Sequence, residues 1–244
     1  MLELLKKEIN GFLNSLIAYV VVIVFLLTLS LFLWVFPDEG FNILNNGYAN
    51  IDPLFILTPW VYMFLIPAIC MRMFSEETKS GTIELLLTKP LSEFKVVFAK
   101  FLSGVIIVIF SLIPTIIYYI SVDSLSVPPG NVDTGSIWGS YFGLVFLGAG
   151  FVSIGLFASS LTDNQVIAFI IALFFCFFCY AGFDSVGSFL GSGFLSNLMF
   201  ELGINTHYNS ISRGVIDSRD LIYFLSLITF FIVLTITRLE SRKW

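Results

Sequence analysis

Charge is scarce in this 244-residue chain. Asp, Glu, Lys and Arg make up 12% of it, hydrophobic residues make up 57%, and mean hydropathy is +0.95. Water-soluble domains carry about 25% charged residues, so a soluble globule is excluded. Histidine occurs once, at His207, and cysteine three times, at Cys70, Cys176 and Cys179. All three cysteines sit in apolar runs, which argues against a disulfide framework. Cys176 and Cys179 form a CxxC on one helix face, but no His or carboxylate stands nearby in sequence to complete a metal site, so packing is their expected role. One histidine cannot supply an HExxH. No GxxxxGK[ST] occurs either, so the chain has no P-loop of its own. No catalytic residue, metal or cofactor is expected in this chain.

What is present is a series of long apolar runs. Six are of spanning length, at about 16–36, 54–71, 101–120, 137–161, 166–183 and 221–237. The expected fold is an all-α polytopic membrane protein. Residues 1–12 place Leu2, Leu5, Ile9 and Phe12 at spacings of three and four, with Glu3, Lys6, Lys7 and Asn10 on the other side. This pattern predicts an interfacial N-terminal helix. Pro59 and Pro67 should kink the second span, and the glycines at 139, 143, 148, 150 and 155 predict close packing around the fourth. Residues 184–220 form a long connector whose apolar stretch, Phe189 to Leu202, is too short and glycine-broken to span. A re-entrant or interfacial segment is expected there.

Ionisable groups are costly inside spans, and none is expected there: Asp123, Asp163 and Asp184 fall at helix ends, and Lys100 is placed to snorkel. That disfavours ion-coupled carriers and intramembrane proteases. Ten of the 12 basic residues lie on the side of the termini, and only Arg213 and Arg219 on the other. The positive-inside rule makes the first side cytoplasmic, with both termini there.

The largest cytoplasmic segment is SEETKSGTIELLLTKPLSEFKVVFAK, residues 75–100. Ser75 is placed to cap a helix whose first turn holds Glu76 and Glu77, and Ser92 to cap the next. Residues alone leave two readings, an interfacial helix with snorkelling lysines or a docking element for a cytoplasmic partner. Glu77, the run Gly81-Thr82-Ile83-Glu84-Leu85-Leu86-Leu87-Thr88, Pro90, Lys100 and Phe101 resemble the "E…GT(L/I)ELLLT.P…KF" signature of ABC-2 type transporter permeases. The likeness continues at SIGLFASSLTDNQ (153–165), at His207-Tyr208, at Ser212-Arg213-Gly214-Val215 and at Asp220-Leu221. Within that family the chain looks most similar to the gliding-motility-associated ABC transporter permease subunit.

The resemblance implies a six-helix permease of an ATP-binding-cassette exporter in a bacterial inner membrane, working in gliding motility or secretion. It would pair with itself or with a second permease, and a separate cytoplasmic ATPase would bind ATP and Mg. Residues 75–92 would be the coupling region, with Glu76, Glu77, Gly81, Thr82, Glu84 and Leu85 facing the ATPase. Thr78 and Lys79 depart from relatives that carry basic residues directly after the glutamate. Short helices before the last span would close the exit, which points to Phe189, Phe194, Leu195, His207 and Arg213 as an outer gate; a folded cap without a transport role is the alternative. No nucleic-acid partner is expected. An ion-coupled secondary carrier and a non-transporting membrane scaffold stand as rival functions.

Overall fold

The computed structural model describes residues 1–37, 40–45, 47–82, 84, 92–128, 130–214 and 217–241. In chain order its helices are α1 (Leu2–Leu13), α2 (Leu16–Val35), α3 (Asp52–Cys70), α4 (Ser75–Lys79), α5 (Glu93–Leu125), α6 (Thr134–Leu161), α7 (Gln165–Phe189), α8 (Phe194–Leu202), α9 (Ile204–Ile211) and α10 (Ser218–Glu240). Among the described residues six helical segments, built on α2, α3, α5, α6, α7 and α10, are long and apolar enough to cross a membrane. The polytopic helical fold expected from the hydropathy is therefore present.

Two spans are longer than their apolar runs suggested. In α5 the chain passes Pro114 in a tight turn of 3-10 helix, Ile113–Thr115, and runs on to Leu125. In α7 a π-helical turn, Phe178–Gly182, carries the helix on to Phe189. Asp184 thus lies inside a continuous helix rather than at its end.

α6 is the hub, packed against α3, α5, α7 and α10. In its most apolar window 78% of residues are buried, against 28% in α2 and in α7 and 33% in α10. Its glycines explain how it reaches that position. A Cβ on Gly148 would stand 2.6 Å from Val108 Cγ1 of α5, and one on Gly155 would stand 2.6 Å from Cys70 Cβ of α3. With no Cβ there, the backbones approach closely and recover dispersion contacts that lipid would otherwise supply.

α3 holds Pro59 and Pro67 in its interior and stays one helix. Proline has no N–H, so Pro59 leaves the Phe55 carbonyl four residues back without its helical donor. The buried Tyr208 of α9 fills that gap, its hydroxyl donating to Phe55 O at 2.7 Å. The defect in α3 thereby becomes the point where α9 is attached. Ser136 and Ser140 of α6 both donate to Ser212 O, fastening the end of α9 to the hub.

The helices leave two distinct ends. One carries α1 and α4, and we call it the α4 face. The other carries α8 and α9, and we call it the α9 face.

Candidate functional site

The α4 face is organised by one amine. Lys100 is 1% exposed, so it does not snorkel as expected. Helix α5 begins at Glu93, which places Lys100 two turns inside it and against its neighbours. Its Nζ sits 3.0 Å from Glu77 Oε1 of α4 and 3.1 Å from Glu8 Oε1 of α1, and donates to Met73 O at 2.8 Å. The ring of Phe74 stands 5.2 Å away, where its π face also attracts the cation. Three separate elements, α1, α4 and α5, thus share one ion-pair network. Charges this deep are tolerated only when paired and hydrogen-bonded, and Glu77 Oε2, buried without a donor, keeps part of that strain.

A second tie fixes α4 to the hub. Ser159 Oγ of α6 accepts from the N–H groups of Phe74 (3.0 Å) and Ser75 (3.1 Å) and donates to Met71 O. These backbone groups lie at the junction of α3 and α4, where helical partners run out. Ser75 was expected to cap α4. It instead lies in the first turn, buried, with its hydroxyl turned back to Met71 O, and Phe74 occupies the cap position. Ser92 does precede α5 as expected, but makes no side-chain cap bond.

The expected coupling residues divide into two groups. Glu77 is half-buried in the network. Glu76 is exposed and clamped by Arg72, whose guanidinium donates at 2.9 and 3.2 Å. Gly81 turns the chain with φ +71°, a conformation that costs glycine little, and the Ser80 and Thr82 hydroxyls, 2.9 Å apart, cover the end of α4. Gly81, Thr82 and Glu84 are all exposed. Leu85 lies outside the described residues, as do 86–91. A cleft of about 260 Å³ opens beside the network, lined by Lys7, Glu8, Arg72, Glu76, Glu77 and Lys100 among others. Glu8 was not singled out in the sequence; its signal was an acid falling between Leu4, Leu5 and Phe12 on the inward side of α1.

At the α9 face the five expected gate residues do not form one cluster. Phe189, Phe194 and Leu195 are strongly exposed around the α7–α8 turn, and Arg213 is exposed after α9. His207 is held apart from them. It stacks on Tyr223 of α10 at 3.9 Å between ring centres and meets Asp220 Oδ1 through Nδ1 at 2.7 Å. Its Nε2 faces the Glu201 carbonyl at 2.9 Å, which only accepts, so Nε2 carries a proton. The Nδ1–Asp220 contact and the stack on Tyr223 make His207 a clamp between α9 and α10. Tyr208 anchors the same segment, and its burial raises the phenol well above its ordinary pKa.

The family described as "ABC-2 family transporter protein" matches residues 2–244. The chain belongs to that family. It is therefore the membrane component of a transporter, in a fold whose described residues supply six membrane-length helices. No curated protein matches the chain.

Proposed function

We propose that this chain is the permease subunit of an exporter driven by a separate cytoplasmic ATPase, which docks at the α4 face on residues 75–92. The observation that carries this reading is the Glu8–Lys100–Glu77 network. It ties the short exposed helix α4 to a spanning helix and to the N-terminal helix, so a push on α4 reaches the bilayer through a buried contact rather than a flexible loop. Glu76, Gly81, Thr82 and Glu84 are the exposed groups a partner would touch, with Leu85 beside them in sequence. The surplus of basic residues on this side supports a cytoplasmic α4 face. The exposed Phe189, Phe194 and Leu195, with Arg213 and the His207 clamp, would close the far end as an outer gate. A second permease would complete the pathway, and gliding motility or secretion is the setting that the sequence resemblance supports.

The test is purification from native membranes in mild detergent. A P-loop ATPase should co-purify, and Glu77→Ala or Gly81→Pro should lower its stimulation while membrane insertion is kept. Gly81→Pro is the sharper variant, because proline cannot adopt the positive φ at this turn. No ATPase partner, or unchanged stimulation in both variants, overturns the reading. Orientation is tested separately by labelling single cysteines at Asn131 and Asn209, expected outside, and at Thr78 and Ser241, expected inside. A second reading, an ion-coupled carrier, is favoured by Asp184, a carboxylate late in α7 whose Oδ1 is buried without a donor. Uptake driven by an ion gradient without nucleotide would select it.

A further inference from the structure

A cleft of about 320 Å³ opens on the α9 face between α3, α7 and α9, away from the Lys100 network. Trp60 comes from α3, Tyr180 and Asp184 from α7, and Asn205 and Tyr208 from α9. Trp60 and Tyr180 meet edge to face, with ring centres 5.7 Å apart. Tyr180 belongs to the π-helical turn of α7, an irregularity that concentrates at functional sites.

The charge of this cleft is unanswered. Asp184 Oδ2 accepts from Asn205 Nδ2 at 2.7 Å, while Oδ1, turned toward Gly203 beneath the cleft, is buried and has no donor. Among the described residues no Lys, Arg or His forms an ion pair with it. Asp184 as a whole is half-buried, and a carboxylate oxygen withdrawn from water without a donor or a cation is unfavourable. The lining also indicates which cation would fit. Hard cations of the calcium or magnesium type are held largely by carboxylates, and among the described residues Asp184 is the one acid lining this cleft, with Ser185, Asn205 and Asn209 as neutral neighbours. Aromatic rings beside one carboxylate suit an organic ammonium, whose charge meets the π faces and whose carbon skeleton meets apolar wall.

We propose that this cleft binds the ammonium group of a small organic amine, carried either by a free solute or by a lipid headgroup, with Asp184 as counter-ion and Trp60, Tyr180 and Tyr208 as the aromatic wall. The assignment is independent of any ATPase coupling.

The probe is choline, titrated by ligand-observed NMR onto the purified full chain in nanodiscs of phosphatidylglycerol, against 3,3-dimethylbutan-1-ol as its uncharged isostere. Saturable binding of choline and none of the isostere is expected. Asp184→Asn keeps an acceptor for Asn205 and removes only the charge; it should weaken choline at least about 10-fold. Trp60→Leu should weaken it about 3- to 30-fold. Both should retain the thermal unfolding profile of the parent, and Trp60→Leu decides the matter if Asp184→Asn fails to fold. Replacing part of the lipid by phosphatidylethanolamine distinguishes the sources. A falling apparent affinity for choline identifies a lipid headgroup as occupant, and an unchanged one identifies a free amine. Equal binding of the isostere, no binding of choline, full binding by both variants, or displacement by sodium as effective as by ethanolamine overturns the proposal.

Discussion

Replacing Lys100 by methionine keeps an unbranched apolar stem as far as Cε and removes the charged amine, so it isolates what the ion-pair network contributes. At an effective dielectric of about 20, unit charges 3 Å apart attract by roughly 5 kcal/mol, and Lys100 has two such partners. Against this stand the desolvation of an amine that is 1% exposed, several kcal/mol by itself, and the mutual repulsion of Glu8 and Glu77. The intact network is therefore near balance. Its loss is not balanced, because Lys100→Met leaves two carboxylates, only 15% and 16% exposed, facing each other without a cation. The expected cost is about 3–5 kcal/mol, the range for breaking a buried pair from one side. Adding Glu8→Gln and Glu77→Gln removes both stranded charges, and the triple variant should return to within about 2 kcal/mol of the parent. The measurement is unfolding in mixed micelles at rising denaturing-detergent fraction, followed by circular dichroism. A single variant as stable as the parent would refute the reasoning, and so would a triple variant no better than the single one.

Three further outcomes are expected. Ser159→Ala strips the buried N–H groups of Phe74 and Ser75 of their acceptor; it should cost about 1–3 kcal/mol per group left unpaired, and hydrogen exchange should rise at these two amides. Gly155→Ala drives a methyl against Cys70 Cβ and should cost about 1–3 kcal/mol in the same unfolding assay, whereas Gly11→Ala, with nothing within 4 Å, should be neutral or slightly stabilising. Tyr208 keeps its proton when folded, while an unfolded tyrosine loses it near pH 10. Its stability contribution is thus complete below about pH 10 and falls as pH rises beyond it. Tyr208→Phe should cost about 0.5–1.5 kcal/mol at neutral pH by losing the bond to Phe55 O, and should show a shallower loss of stability in alkaline titration.

The sequence by itself determined the helical, membrane-spanning class and the number of long apolar helices, because spanning requires only length and hydrophobicity, which are local. It also marked α6 as the place of close approach, since glycine permits that wherever it falls on a packed helix, and it pointed to the family through the run around Glu77 and Gly81. Tertiary structure decided what the polar residues do. Lys100 looked like a snorkelling lysine because its partners, Glu8 and Glu77, lie 92 and 23 positions away and converge on it only when α1 and α4 fold against α5. Pro59 was legible as a defect in α3, but not Tyr208, 149 positions later, whose hydroxyl takes the carbonyl that the defect frees. Asp184 appeared to end a helix until the π-helical turn of α7 carried the helix past it. In each case a polar group's role depends on what the fold brings within 3 Å of it. Hydropathy reports only the segment in which the group sits.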